Sequence, residues 1–214
     1  ALPISRISQA AHERGAAVIV DNTFYSPIYQ RPLEDGADLV LHSATKYLGG
    51  HNDVLAGAIM TNDAAIYDKL FYNLNTTGAV LSPFDSYLLL RGLKTLALRM
   101  ERSTQNAQEV VAFLKSSPAV REVLYPGKGG MISFKVVDES KIPHLLNSLK
   151  VFTFAESLGG VESLITYPTT QTHADIPVEV RHSYGLTDDL LRLSIGIEDS
   201  RDLVDDLRTA LENE

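Results

Sequence analysis

The chain has no cysteine among its 214 residues. That excludes disulfides, thiolate metal ligands and a cysteine nucleophile, and it is compatible with a reducing compartment. Positive charge is also short, with 19 Lys and Arg against 27 Asp and Glu and a formal net charge of −8. This balance argues against a nucleic-acid groove or an anionic membrane surface as the main partner. No apolar run approaches the ~18 residues a membrane-spanning helix needs, so a soluble protein is expected. No G-x-G-x-x-G occurs, and "GKGG" (127–130) lacks P-loop spacing, so nucleotide readings fail. Internal repeats and low-complexity segments are absent. The chain opens without methionine, basic leader or signal-peptide core, inside what reads as an ongoing α/β pattern. It is therefore expected to be part of a longer protein.

What is present is an ordinary globular balance, 44% hydrophobic and 21% charged, with length for one or two domains and a real core. Residues 4–14 carry Ile4, Ile7, Ala10 and Ala11 at helical spacing, with Gly15 as a stop. "AAVIVD" (16–21), "ADLVLHS" (37–43) and "AGAIMTN" (56–62) read as strands. The continuous apolar runs of the first two suit parallel strands covered on both faces. "LSPFD…LKSS" (81–117) predicts a long helix capped by Ser82, with Pro83 at its first position and Asp85 in a box-like pattern. Some 34 residues would reach about 50 Å, so a bend or break is expected at Gly92 or "RSTQN", with the helix joining two domains. Beyond Pro118 the character changes. "MISFKVV" (131–137) alternates, "IPHLLNSLK" is a short helix, and "LLRLSIGIE" (190–198) sets Leu191, Leu193, Ile195 and Ile197 against Arg192, Ser194, Gly196 and Glu198. A last helix begins near Ser200. These features predict a small α+β domain with an antiparallel sheet.

Open parallel sheets bind ligands at the carboxyl ends of their strands, and Asp21 and Lys46 fall at or just beyond two such ends. Lys46 is read either as a surface lysine beginning a loop or as an amine for covalent chemistry. Its setting of a buried strand, Ser43, Thr45, Gly49 and Gly50 favours the second, because partial desolvation frees the amine for a Schiff base. Asp21 is either a cap or a carboxylate that meets a positive group. Together the two match what pyridoxal phosphate requires: a lysine for the aldehyde carbon and an acid that keeps the pyridine nitrogen protonated. Ser43 and Thr45 would then hold the phosphate. Arg192 is either solvated or a bidentate clamp for a carboxylate. His51 and Asp53 make a poor metal site without a third ligand, so no metal is expected, and His173 reads as a structural histidine.

The motifs "VIVDNTF", "DLVLHSATKYLGGHND", "FAESLGGVESLITYP" and "LLRLSIGIED" together resemble the Cys/Met-metabolism family. These are fold type I, pyridoxal-phosphate-dependent trans-sulfuration enzymes. Within it, the short "LYPGKGGMISF" joint resembles the bacterial cystathionine γ-synthase and O-acylhomoserine thiol-lyase branch. The resemblance implies an α/β fold, with a three-layer sheet domain that is incomplete here and a small α+β domain. Residues 1–103 would end the cofactor domain and residues 104–214 would form the small one. It implies pyridoxal 5'-phosphate on Lys46, Asp21 at the pyridine nitrogen, Thr23 beside the ring, and Ser43 and Thr45 on the phosphate. Ser157 and Arg192 would hold the substrate α-carboxylate, and Glu156 would point to γ-carbon chemistry.

The implied reaction is γ-replacement on O-acylhomoserine by cysteine or sulfide in methionine biosynthesis, with small amino acids as substrates. A cystathionine β- or γ-lyase is the alternative within the family, and a cofactor-free interaction module is the alternative outside it. A cytoplasmic homotetramer of paired dimers is implied. The family's preceding half, with its glycine-rich phosphate loop and ring-stacking tyrosine, has no counterpart here. The missing N-terminal half is thus an expected partner.

Overall fold

The computed structural model describes residues 3–212. They divide into two compact units, Ala1–Ala97 and Leu98–Glu214. No helix among the described residues is long and apolar enough to cross a membrane.

In the first unit, β1 (Ile19–Asp21) and β2 (Leu39–Ser43) pair in parallel, with Asp21 opposite Leu41. Strand β3 (Gly57–Met60) pairs with β2 antiparallel. The reason is local. The β2–β3 connection contains no crossover helix, so it returns the chain beside itself. Thr45 closes that return: its N–H donates to the Ala56 carbonyl at 3.1 Å, and its hydroxyl accepts from the Ala56 N–H at 3.0 Å. Val40 and His42 are buried on one face of β2, while Leu39, Leu41 and Ser43 are half-buried on the other.

Helix α1 (Ile4–His12) forms as its spacing predicts but turns a different residue inward. Only Ser8 is buried, while Ile7 is exposed. Ser8 sits against the Gly36 turn, where a Cβ on Gly36 would stand 3.4 Å from that of Ser8. Helices α2 (Ser26–Tyr29) and α3 (Ala64–Thr77) follow in the same unit. The Asp63 carboxylate caps α3 by accepting the Ile66 N–H at 2.8 Å, and Gly78 ends it at φ +68°.

The long predicted helix is broken just after Gly92, one of the two expected places. It forms α4 (Pro83–Leu93) and α5 (Leu96–Ser116), with "RSTQN" wholly helical. Ser82 caps α4 by accepting the Asp85 N–H at 3.1 Å, with Pro83 in the first turn.

The second unit carries a five-stranded sheet in the order β4-β5-β8-β7-β6. Its strands are β4 (Val120–Leu124), β5 (Met131–Val136), β6 (Thr153–Phe154), β7 (Leu164–Thr166) and β8 (Leu190–Ser194). All pairs are antiparallel except β6 with β7, which is a departure from the wholly antiparallel expectation. One face meets α5, α6 (Ile142–Ser148) and α8 (Ser200–Glu212) in a core built on Phe134, Ile165, Leu191, Leu193, Leu114 and Leu207. The alternation read for 190–198 holds at Leu191, Leu193 and Ile195, but Ile197 is exposed, because β8 ends at Ser194. Helix α7 (Val178–Ser183) lies between β7 and β8 in sequence.

Candidate active site

The first unit gathers its candidates at the carboxyl ends of β1 and β2. Asp21 is exposed at the last position of β1. Its Oδ1 accepts from the Thr23 N–H at 3.0 Å and the Thr23 hydroxyl at 2.6 Å. Thr23 is buried, and its hydroxyl also accepts from the Ser43 N–H at 2.8 Å. One threonine thus ties the carboxylate of one strand to the end of the next. Asn22, also buried, turns the chain away from the strand end by donating from its side-chain amide to the carbonyls of Ser26 and Gln30. Ser26 there holds φ +54°, uncommon for a residue with a side chain.

Lys46 is half-buried in the turn that follows β2. The Lys46 N–H donates to the Ser43 carbonyl at 3.1 Å, and the Gly49 and Gly50 N–H groups donate back to Ala44 and Lys46 at 2.8 Å. The turn is therefore braced on both sides of the lysine. Glycine is demanded nearby. A Cβ on Gly92 would stand 2.2 Å from the Gly49 carbonyl oxygen, so only glycine lets α4 lie against this loop. The Thr45 hydroxyl donates to the Ala56 carbonyl at 3.3 Å, while the Ser43 hydroxyl makes no hydrogen bond among the described residues. His51 Nδ1 meets the Gly49 carbonyl at 2.8 Å, and His173 Nδ1 meets the Thr172 hydroxyl at 2.7 Å.

Behind the strand end lies His42. Its ring is buried, and burial holds its pKa below the usual 6.5, opposed by the nearby charge of Asp21.

These groups fit pyridoxal phosphate. They offer a primary amine on a braced loop, a carboxylate fixed through one oxygen at a strand end, and a small hydroxyl at the end of the neighbouring strand. The Ser43 hydroxyl would donate to a phosphate as it stands, whereas Thr45 would have to turn its hydrogen from Ala56.

The second unit holds Glu156, Ser157 and Arg192. Residues 155–163 join β6 to β7 in a crossover shorter than the dozen residues parallel neighbours usually require. The tight path shows in the backbone, with Ser157 at φ +87° and Gly159 at φ +77°. The strain at Ser157, about 1–3 kcal/mol for such a residue, is held by the surroundings. Its carbonyl accepts from Arg192 Nη2 at 3.2 Å, and the Gly159 N–H donates to the Ser194 hydroxyl at 2.8 Å. Further along, the Glu198 carboxylate accepts from both the N–H and the hydroxyl of Ser163, and Asn106 donates to the carbonyls of Gly196 and Glu198. Ser157 and Arg192 are thus joined directly, while Glu156 is exposed on the same loop. Sequence reasoning gave no role to Asn22, Thr166, Ser194 or Glu198. Only their polarity beside strand ends marked them.

Comparison with known proteins bears on the same residues. The family model described as "Cys/Met metabolism PLP-dependent enzyme" matches residues 2–212. The cystathionine gamma-synthase/O-acetylhomoserine (thiol)-lyase of Bacillus subtilis is 56% identical over 97% of this chain and 56% of its own length. A cystathionine gamma-lyase of the same organism is 48% identical over 98% of this chain and 60% of its own length. Among solved structures, a cystathionine gamma synthase from Xanthomonas oryzae in complex with aminoacrylate and cysteine superposes with a TM-score of 0.95 at 43% identity, covering 98% of this chain and 59% of that one. The chain spans somewhat more than half the length of the relatives it matches.

Proposed function

We propose, from the premise that this chain belongs to the pyridoxal-phosphate-dependent enzymes of cysteine and methionine metabolism, that it carries the lysine-bearing part of an enzyme of γ-replacement. The substrate is an O-acylhomoserine and the acceptor is cysteine or sulfide, with cystathionine formed from cysteine. The observation that supports this reading is the pairing of Asp21, fixed by Thr23, with the braced Lys46 turn at the carboxyl ends of two parallel strands.

Pyridoxal phosphate, when bound, supplies a ring that accepts the electron pair left on a substrate Cα after proton loss. Lys46 would hold the cofactor and would move protons at the substrate Cα, each assisted transfer contributing ~10²–10⁴-fold. Asp21 keeps the proton on the pyridine nitrogen. Thr23 packs beside the ring while orienting Asp21, and Ser43, with Thr45 after its hydroxyl turns, donates to the phosphate. Arg192 and Ser157 bind the substrate α-carboxylate, and Glu156 lies toward the γ end. The rest of the pocket comes from chain preceding this one and from a neighbouring subunit, in a cytoplasmic tetramer of paired dimers.

Borohydride reduction of the full-length protein, followed by peptide mass analysis, tests the core of this reading. A pyridoxyl-phosphate adduct is expected on the peptide containing Lys46, and an adduct on another lysine overturns it. The 48% identity to a γ-lyase favours one second reading, cystathionine cleavage by the same lysine. Incubation with cystathionine separates the two. A lyase releases pyruvate or 2-oxobutanoate rapidly, and a synthase releases either one poorly.

A further inference from the structure

Arg192 cannot aim itself. An arginine side chain has several rotatable bonds, and a carboxylate clamp works only if its planar fork is already oriented. The structure shows what orients it. Thr166, the last residue of β7, lies directly opposite Arg192 in the sheet register. Its hydroxyl is 3.1 Å from Arg192 Nη2 and 3.0 Å from the Ala155 carbonyl oxygen. A hydroxyl has one hydrogen, and here it goes to Ala155, so toward Arg192 the same oxygen accepts. A guanidinium can only donate, so the polarity of the chain Arg192 to Thr166 to Ala155 is fixed in one direction.

Arg192 Nη2 donates both to the Thr166 hydroxyl and to the Ser157 carbonyl. A planar group held at one nitrogen by two acceptors has its plane set. The other end of the chain matters as much. Ala155 immediately precedes Glu156 and Ser157, and its own N–H donates to the Ile165 carbonyl at 3.1 Å. One buried hydroxyl, 1% exposed, therefore couples the arginine to the strained loop that carries the other carboxylate-binding candidate.

We propose that Thr166 is the positioning residue for α-carboxylate recognition, a hydroxyl relay that sets Arg192 and the 155–157 loop in register for one ligand group. It rests on the reading of Arg192 as the carboxylate clamp. The role is specific to the hydroxyl. Valine fills the same space but leaves Arg192 Nη2 and the Ala155 carbonyl each short of a partner, and serine keeps both bonds.

The experiment compares two ligands on the full-length holoenzyme by calorimetry: L-alanine, which has the carboxylate, and ethylamine, which lacks it. T166V is expected to weaken L-alanine binding ~10-fold, the scale of one hydrogen bond to a charged group, and to leave ethylamine unchanged. T166S is expected to stay within ~3-fold of the parent for both ligands, because the bond is kept. Equal weakening of both ligands in T166V, or no change in either, overturns the proposal, the former by revealing a merely structural role. Should T166V fold poorly, T166A supplies the same ratio. R192A separates the two levels. If R192A keeps the preference for L-alanine over ethylamine, the clamp reading fails. If R192A loses it and T166V does not, the relay alone fails.

Discussion

Residues 98–214 bury a continuous core in which Phe134, Leu191, Leu193, Ile195, Leu203 and Leu207 are almost wholly inaccessible, whereas residues 1–97 leave Ile19, Ile59, Phe71, Tyr72 and Phe84 largely exposed. Every member of the main hydrophobic cluster lies between Ala107 and Ala210. The contrast runs down to single helices. Helix α8 buries Leu203 and Leu207, while α3 buries no residue at all and stacks Tyr67 on Phe71 at its surface. A contiguous exposed apolar face marks an interaction surface. The carboxylate-binding side of the candidate chemistry therefore rests on a closed core. The lysine-bearing side rests on a sheet and helices whose large apolar residues lie largely exposed.

The largest effect should come from the open unit. On the proposed reading K46A removes both the attachment amine and the proton carrier, so turnover of the full-length enzyme is expected to fall by at least ~10⁴-fold, with the urea midpoint nearly unchanged. Wild-type-like synthesis by K46A would sink the assignment. Next in size is a pair of phenylalanines. F134A empties a site in the closed core and should cost about 3–5 kcal/mol in denaturant unfolding, at any protein concentration. F71A should cost less, about 1–3 kcal/mol, and on the proposed reading of a tetramer its midpoint should rise with protein concentration. A loss within about 0.5 kcal/mol for F71A would make that face a true solvent surface and undo the contrast between the units.

Much of this was legible in residue type and spacing. Asp21 stood out because a carboxylate ending an apolar run is costly without a partner, Lys46 because small residues and glycines surround it, and a break at Gly92 or "RSTQN" followed from helix length. What escaped was set by partners distant in sequence. The apolar spacing of residues 4–14 points Ile4 and Ile7 inward, yet it is Ser8 that is buried, against the Gly36 turn. The reversal of β3 depends on the bonding of Thr45 to Ala56, which no periodicity encodes. Thr166 was invisible for the same reason: it gains meaning only from a register that sets it beside Arg192, 26 residues away.

The smallest effect probes the same contrast through pH. His42 is buried behind the Asp21 strand end, and desolvation lowers its pKa below 6.5, the nearby Asp21 charge opposing the shift. The unfolded chain therefore takes up a proton before the folded one does. Between the unfolded value of 6.5 and the lower folded one, the unfolded state binds more protons, so stability rises with pH in that window. The contribution is complete above the unfolded value and is lost as pH falls through the folded one. Urea midpoints measured across that window should drop more in the parent protein than in H42Q, which has no imidazole to charge. Equal slopes for the two would mean that His42 is solvated in the complete protein, and that this face of the lysine-bearing unit stays as open as its exposed side chains suggest.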